Sequence, residues 1–139
     1  MTEDRPSVSA REKVSVLVID DDELAREFLC DILRRAGFTV SDSPSTLGVT
    51  NRIVREKINV VVLDVMMPAI RGDRLAALLR KHPGLAALGV VLVSSHARDE
   101  LDQIASEVGA EAVVGKHEAR EKLAAAVLEA ATARRPSKV

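Results

Sequence analysis

The sequence predicts an α/β fold, a doubly wound, five-stranded parallel sheet with five helices on its faces. Three observations predict it. Short runs rich in Val, Ile and Leu recur at residues 14–19, 60–63 and 89–93. They are nearly continuous in apolar residues, so each reads as a strand buried on both faces, as strands are in parallel sheets covered by helices. The segments between them carry apolar residues three or four apart, the spacing of helices that pack one face inward. Strand and helix alternate along the chain, which argues for right-handed crossover units.

Residues 1–13 mix Glu, Asp, Arg, Pro and Ser without apolar periodicity and read as a disordered leader. Residues 14–19 form the first strand and end abruptly in Asp20, Asp21 and Asp22. Asp21 or Asp22 is placed to cap the next helix, in which Leu24, Phe28 and Ile32 recur at four-residue spacing and which Gly37 stops. Residues 38–41 make a weaker second strand. Ser43, Pro44 and Ser45 then turn the chain into a more polar second helix, with Leu47, Val54 and Ile58 sharing a face. The third strand runs through Val60, Val61, Val62 and Leu63 to Asp64, and Pro68 closes that segment.

A third helix after Gly72 carries Leu75, Leu78 and Leu79 and stops at His82, Pro83 and Gly84. The fourth strand, residues 89–93, runs straight into Ser94, Ser95 and His96. Leu101, Ile104, Ala105 and Val108 follow the i, i+3, i+4, i+7 pattern of a fourth helix, which Gly109 ends. Residues 112–115 make the fifth strand before Lys116. The last helix covers about 118–133, with Leu123 and Val127 inward. Residues 14–133 thus read as one domain, followed by a short tail at 134–139, with no repeat and no heptad run.

Composition narrows the function classes. A chain of 139 residues suits a single core. Its formal net charge of -1 gives no global field toward nucleic acid or an anionic membrane. Phe28 and Phe38 are the only aromatic residues, too few for base-stacking platforms, so direct nucleic-acid binding is not expected. No apolar run approaches the ~20 residues of a membrane span, and the polar start is no signal peptide, so a cytoplasmic protein without membrane association is expected. Cys30 is the only cysteine, which excludes an intramolecular disulfide and a Cys-based zinc cluster; its apolar neighbours make it a reduced core thiol.

Open sheets of this kind bind ligands beyond the carboxyl ends of the strands, between the first and third strands in the 2-1-3-4-5 order. Asp20 and Asp21 end the first strand, Asp64 the third, Ser94 the fourth and Lys116 the fifth, so the polar anomalies converge on that edge. Clustered carboxylates repel and raise one another's pKa unless a cation neutralises them. Oxygen ligands favour Mg2+ over zinc, since His82, His96 and His117 lie on separate segments without ligand spacing. A divalent ion, a hydroxyl and an ammonium around a carboxylate form a receptor for a phosphoryl group.

Four motifs, in order, carry a family resemblance: Val18-Ile19-Asp20-Asp21; Leu63-Asp64-Val65-Met66-Met67-Pro68 with Gly72 after it; Val93-Ser94-Ser95; and Gly109-Ala110 leading to Lys116. Together they resemble the receiver domain of two-component response regulators over roughly residues 14–133. The resemblance implies a stand-alone, chemotaxis-regulator-like receiver with flavodoxin-like strand order. It implies transfer of a phosphoryl group from the phosphohistidine of a histidine kinase or phosphotransfer protein to Asp64. Asp21 and Asp64 would ligate Mg2+ directly, Asp20 largely through water, and the backbone carbonyl of Met66 would be a further ligand. Ser94 would donate its hydroxyl to a phosphoryl oxygen, and Lys116 would pair with Asp64 or the phosphoryl group. Such a domain is not an enzyme beyond promoting its own phosphorylation and dephosphorylation. Its output would be contact with a downstream protein through the fourth helix, fifth strand and fifth helix; a homodimer stays open.

The chain departs from the family pattern at several positions. Receivers carry proline in a cis peptide after the lysine, and here His117 follows Lys116. A cis bond costs roughly 0.5–1 kcal/mol before proline but about 2.5–4 kcal/mol elsewhere, so a trans bond is expected, with Lys116 still reaching the pocket. Val113 stands where receivers carry Tyr or Phe that swings inward on activation; any signal would then pass through backbone and loop movement around Ser94. Arg71 replaces the acid common before Gly72. His96 holds a position that tunes phosphoryl lifetime in the family, or is a solvated loop residue.

Plainer roles stand beside these. Asp22 and Glu23 suit the first turn of a helix, Asp73 and Arg74 are ordinary helix-start charges, and Lys116 alone could be a solvated strand-end lysine. Two other functions fit part of the pattern. One is a phosphorylation-independent receiver-fold scaffold. The other is an aspartyl-nucleophile phosphatase of the haloacid-dehalogenase type, suggested by Asp20-x-Asp22, although Glu23 and Leu24 follow where that family usually has a small residue and then Thr or Val.

Overall fold

Five parallel strands build the sheet: β1 (Ser15–Ile19), β2 (Thr39–Ser43), β3 (Val60–Asp64), β4 (Gly89–Ser94) and β5 (Ala112–Gly115). Their order is β2-β1-β3-β4-β5, as the family resemblance implies. The structure, a computed structural model, describes residues 11, 13–66, 72–95, 103, 106 and 109–133. Within them lie α1 (Glu23–Arg35), α2 (Val49–Glu56), α3 (Gly72–Arg80) and α4 (Ala119–Ala133), with 3-10 turns at Pro83–Leu85 and Lys116–Glu118. The helix predicted around Leu101, Ile104, Ala105 and Val108 falls outside the described residues except for Gln103 and Ser106, which are helical. Met67, Pro68, Arg71, His96, the tail and all of the leader except Arg11 and Lys13 also lie outside them.

Alternate strand residues face opposite sides of the sheet, which divides the core in two. Leu17, Ile19, Val61, Leu63, Val90 and Leu92 pack with Val49 and Ile53 of α2 and with Leu75, Ala76 and Leu79 of α3. Val16, Val18, Val60, Val62, Val91 and Val93 pack with Leu29, Cys30 and Leu33 of α1 and with Leu123, Val127 and Ala130 of α4. β3 and β4 are buried along their whole length, which explains their unbroken apolar character.

Three helices turn different faces inward from those expected. In α1, Leu24 is 76% exposed and Phe28 and Ile32 are half-buried, while Leu29, Cys30 and Leu33 face the sheet. The inward stripe is 26, 29, 30 and 33, again i, i+3, i+4, i+7, but its first member is Arg26, which pairs with Asp42 of β2. In α2, Gly48 takes a left-handed conformation and starts the helix after Leu47, which is exposed; Val49 and Ile53 go inward and Val54 outward. In α3, the small Ala76 takes the inward place expected of Leu78. α4 keeps Leu123 and Val127 buried but begins one residue later than expected, because Lys116–Glu118 form a 3-10 turn. Cys30 is buried and unpaired, and burial followed by the charge of Asp42 pushes its thiol up to about 11, so it carries no thiolate at neutral pH.

Candidate functional site

Asp20 leaves the end of β1 fully buried. Its N–H donates to the Ser43 carbonyl at the end of β2 (3.3 Å), and its Oδ1 accepts from the Asp22 N–H (2.9 Å). Its carbonyl accepts from Arg26 Nη1 (3.0 Å), while Arg26 Nε donates to Asp42 Oδ2 (2.8 Å). Asp22 caps α1 by accepting the Ala25 N–H, as the sequence allows. Asp64 ends β3 and is buried, and its Oδ1 accepts the Met66 N–H (3.1 Å), a turn in which the aspartate's own side chain fixes the backbone two residues on. The Val65 N–H donates to the Val93 carbonyl (3.0 Å), which keeps the end of β3 against β4. Ser94, fully buried, ends β4 and lies in register with Gly115 of β5.

Lys116 follows Gly115, and its side chain crosses the edge of the sheet. Its Nζ stands 2.9 Å from Asp20 Oδ2 and 3.5 Å from Asp64 Oδ2, with the side chain 22% exposed. The described residues contain no cis peptide bond, so the bond between Lys116 and His117 is trans and the ammonium still reaches the carboxylates. Asp21 is exposed, and one carboxylate oxygen from each of Asp20, Asp21 and Asp64 lies within 4.8 Å of the others. The structure thus brings together Asp20, Asp21, Asp64 and Lys116, with Ser94 on the adjoining strand end. Met66 meets the group through its backbone, and its side chain is about half exposed.

Burial raises the Asp64 carboxyl above the usual range, with the charge of Asp20 adding to the rise; the Met66 N–H and the Lys116 ammonium oppose it without cancelling it. For Lys116, burial acts downward, but the hydrogen bond to Asp20 and the charges of Asp64 and Asp20 outweigh it and hold the ammonium above its ordinary value. One ammonium therefore pairs with two carboxylates of a cluster of three. The buried Asp20 Oδ2 has Lys116 as its partner at 2.9 Å and no other among the described residues. A negative cluster of carboxylate oxygens with an undersatisfied buried acceptor suits a hard divalent cation, and its donor set contains no His or Cys to favour zinc.

Sequence reasoning missed two residues. Arg26 binds the Asp20 carbonyl and Asp42 together, and only its place at the head of the inward stripe of α1 could have signalled it. Glu118 accepts the Gly115 N–H (3.1 Å) three residues back, a pattern visible only once the turn at Lys116 is known.

Residues 16–128 match the family model of the response regulator receiver domain. The chain is 33% identical over 103 residues to the transcriptional regulatory protein GltR of Pseudomonas aeruginosa, covering 73% of this chain and 42% of that protein. It is 34% identical over 116 residues to the sensory transduction protein RegX3 of Mycolicibacterium smegmatis, covering 79% and 47%. The chain thus spans less than half the length of these two relatives. Against the probable chemotaxis protein CheY of Rhizobium etli, identity is 28% over 121 residues, covering 86% and 94%. Among solved structures, Vibrio cholerae chemotaxis protein CheY4 superposes with a TM-score of 0.75 at 20% identity, covering 84% of this chain and 98% of that one. A sensor protein from Polaromonas sp. reaches 0.81 at 20% identity, covering 88% and 99%. These two share the fold. With the family model spanning most of the sheet and both strand-end acids inside it, the chain belongs to the response regulator receiver domain family.

Proposed function

We propose that Asp64 is the phosphoacceptor of a two-component signalling system, taking its phosphoryl group from the phosphohistidine of a histidine kinase or phosphotransfer protein. The observation that carries this reading is the Lys116 ammonium set between Asp20 and Asp64, with Asp21 beside them. A carboxylate oxygen of Asp64 attacks phosphorus; the new O–P bond forms as the P–N bond to the donor imidazole breaks, and the imidazole leaves neutral with a proton. Lys116 stays protonated at neutral pH and offsets the charge that gathers on the phosphoryl oxygens. Ser94 donates its hydroxyl to one of those oxygens. Mg2+, held by Asp20, Asp21, Asp64 and the Met66 carbonyl, would supply the further positive charge this site lacks.

The signal then passes to a downstream protein through the segment around residues 101–108, β5 and α4. Val113, half-buried against the core beside β4, has no ring to swing, so the change is carried by backbone around Ser94 and β5. Incubation with acetyl phosphate and Mg2+ is expected to add one phosphoryl group by mass, and Asp64→Asn to abolish the gain; beryllofluoride binding that shifts the β5 amides is the companion result. A wild-type protein that takes neither label overturns the reading and leaves the scaffold role, which Val113 favours.

A further inference from the structure

We infer that Glu118 is a positioning residue for Lys116: its carboxylate closes the turn at the end of β5 and thereby aims the ammonium at Asp20 and Asp64. The catalytic consequence rests on the phosphoacceptor reading above; the geometry stands without it. Among the described residues β5 is the edge strand of the sheet, and one side of its backbone has no neighbouring strand. There the Gly115 N–H finds Glu118 Oε1 at 3.1 Å. The other carboxylate oxygen is held by Lys122 Nζ at 3.0 Å, one helical turn further on. The Ala119 N–H donates to the Lys116 carbonyl and completes the turn. Glycine has no side chain to return the bond, so this is the acid's half of a capping box, and a charge-assisted half.

His117 closes the turn from the other side. A Cβ on Gly115 would lie 2.7 Å and 2.9 Å from atoms of the His117 ring, so the ring folds back over the buried glycine. The backbone on both sides of Lys116 is therefore fixed, by Gly115 before it and by Glu118 and Ala119 after it. From that base the side chain reaches 2.9 Å from Asp20 and 3.5 Å from Asp64. Receivers carry proline after this lysine; here a carboxylate does the restraining.

The test is the rate of phosphoryl transfer from acetyl phosphate to Asp64 in the whole chain. Glu118→Ala is expected to slow it about tenfold, the worth of one charge-assisted hydrogen bond. Glu118→Gln keeps an acceptor oxygen and is expected to stay within about twofold of wild type. In a Lys116→Met background, Glu118→Ala is expected to change nothing further, whereas a merely structural glutamate would slow both backgrounds alike. Equal slowing in both backgrounds, or no slowing in the wild-type background, overturns the inference. Should Glu118→Ala not fold, Glu118→Asp, too short to reach the Gly115 N–H, replaces it. If the wild-type chain takes no label, the phosphoacceptor reading fails while the positioning role is read from urea unfolding of wild type, Glu118→Ala, Lys116→Met and the double variant. There, non-additive effects of the two substitutions support it and additive effects overturn it.

Discussion

The two ends of one sheet are built on opposite terms. Among the described residues the buried polar side chains are Asp20, Ser43, Asp64 and Ser94, and they stand at the carboxyl ends of β1, β2, β3 and β4 in turn. The amino ends bury no polar side chain among the described residues. There Asn59 Oδ1 takes the Ser15 N–H (2.7 Å), the Asn59 carbonyl takes the Gly89 N–H (2.9 Å) and Glu111 takes the Val90 N–H (2.8 Å). The amino end is a sealed seam of hydrogen bonds and close packing. The carboxyl end gathers acids around the Lys116 ammonium, an arrangement that suits a divalent cation. The same strands thus supply both, and the difference lies in what each end does with its polar groups.

The largest expected effect lies at the sealed end. A Cβ on Gly89 would stand 2.8 Å from the Ala130 carbonyl oxygen, a backbone atom of α4 that cannot swing aside. Gly89→Ala is expected to push α4 from the sheet and cost about 1–3 kcal/mol of stability by overpacking, read as a lower urea midpoint. Phosphoryl transfer to Asp64 should persist wherever the variant is folded. A variant as stable as wild type would show that the seam is looser than its geometry.

Next comes a gain at the open end. Burial raises the Asp64 carboxyl, so the folded chain holds that proton more tightly than the unfolded chain does. Its favourable contribution is full below the unfolded value of 3.8 and is lost as pH rises through the folded value. At neutral pH without divalent cation, Asp64 therefore destabilises the fold. Asp64→Asn is expected to raise stability by on the order of 1 kcal/mol at pH 7, with the gain shrinking as pH falls toward acid. A loss of stability in Asp64→Asn at pH 7 would mean that the pair with Lys116 outweighs the burial.

This end was also the more legible one in the sequence. Asp20, Asp64, Ser94 and Lys116 each interrupt or end an apolar run, and strand order alone brings run-ends together, so the site follows from topology. Helix phase did not follow. Leu24, Phe28 and Ile32 are spaced as well as any buried stripe, but spacing fixes the period of a helix and not which stripe faces the sheet. In α1 that choice goes with Arg26, whose guanidinium meets the Asp20 carbonyl and also Asp42, a residue on another element far along the chain. Glu118 was hidden for another reason: its partner is a backbone N–H, which leaves no mark in the residue pattern.

The smallest effect sharpens the comparison inside the run of three acids. Asp20 is buried, Asp21 is exposed with an oxygen in the carboxylate cluster, and Asp22 is exposed and caps α1 through Oδ2 to the Ala25 N–H at 3.1 Å. Asp22 also serves Asp20, but through its backbone N–H, which any residue except proline supplies. Asp22→Ala should therefore cost ~0.5–1 kcal/mol for the lost cap and leave the rate of phosphoryl transfer near that of wild type. Asp21→Ala should do the reverse, with little change in unfolding and a clear fall in Mg2+-dependent transfer. If Asp22→Ala slows transfer as much as Asp21→Ala does, the side chain at 22 belongs to the site, and the boundary between packing and charge lies one residue further into α1.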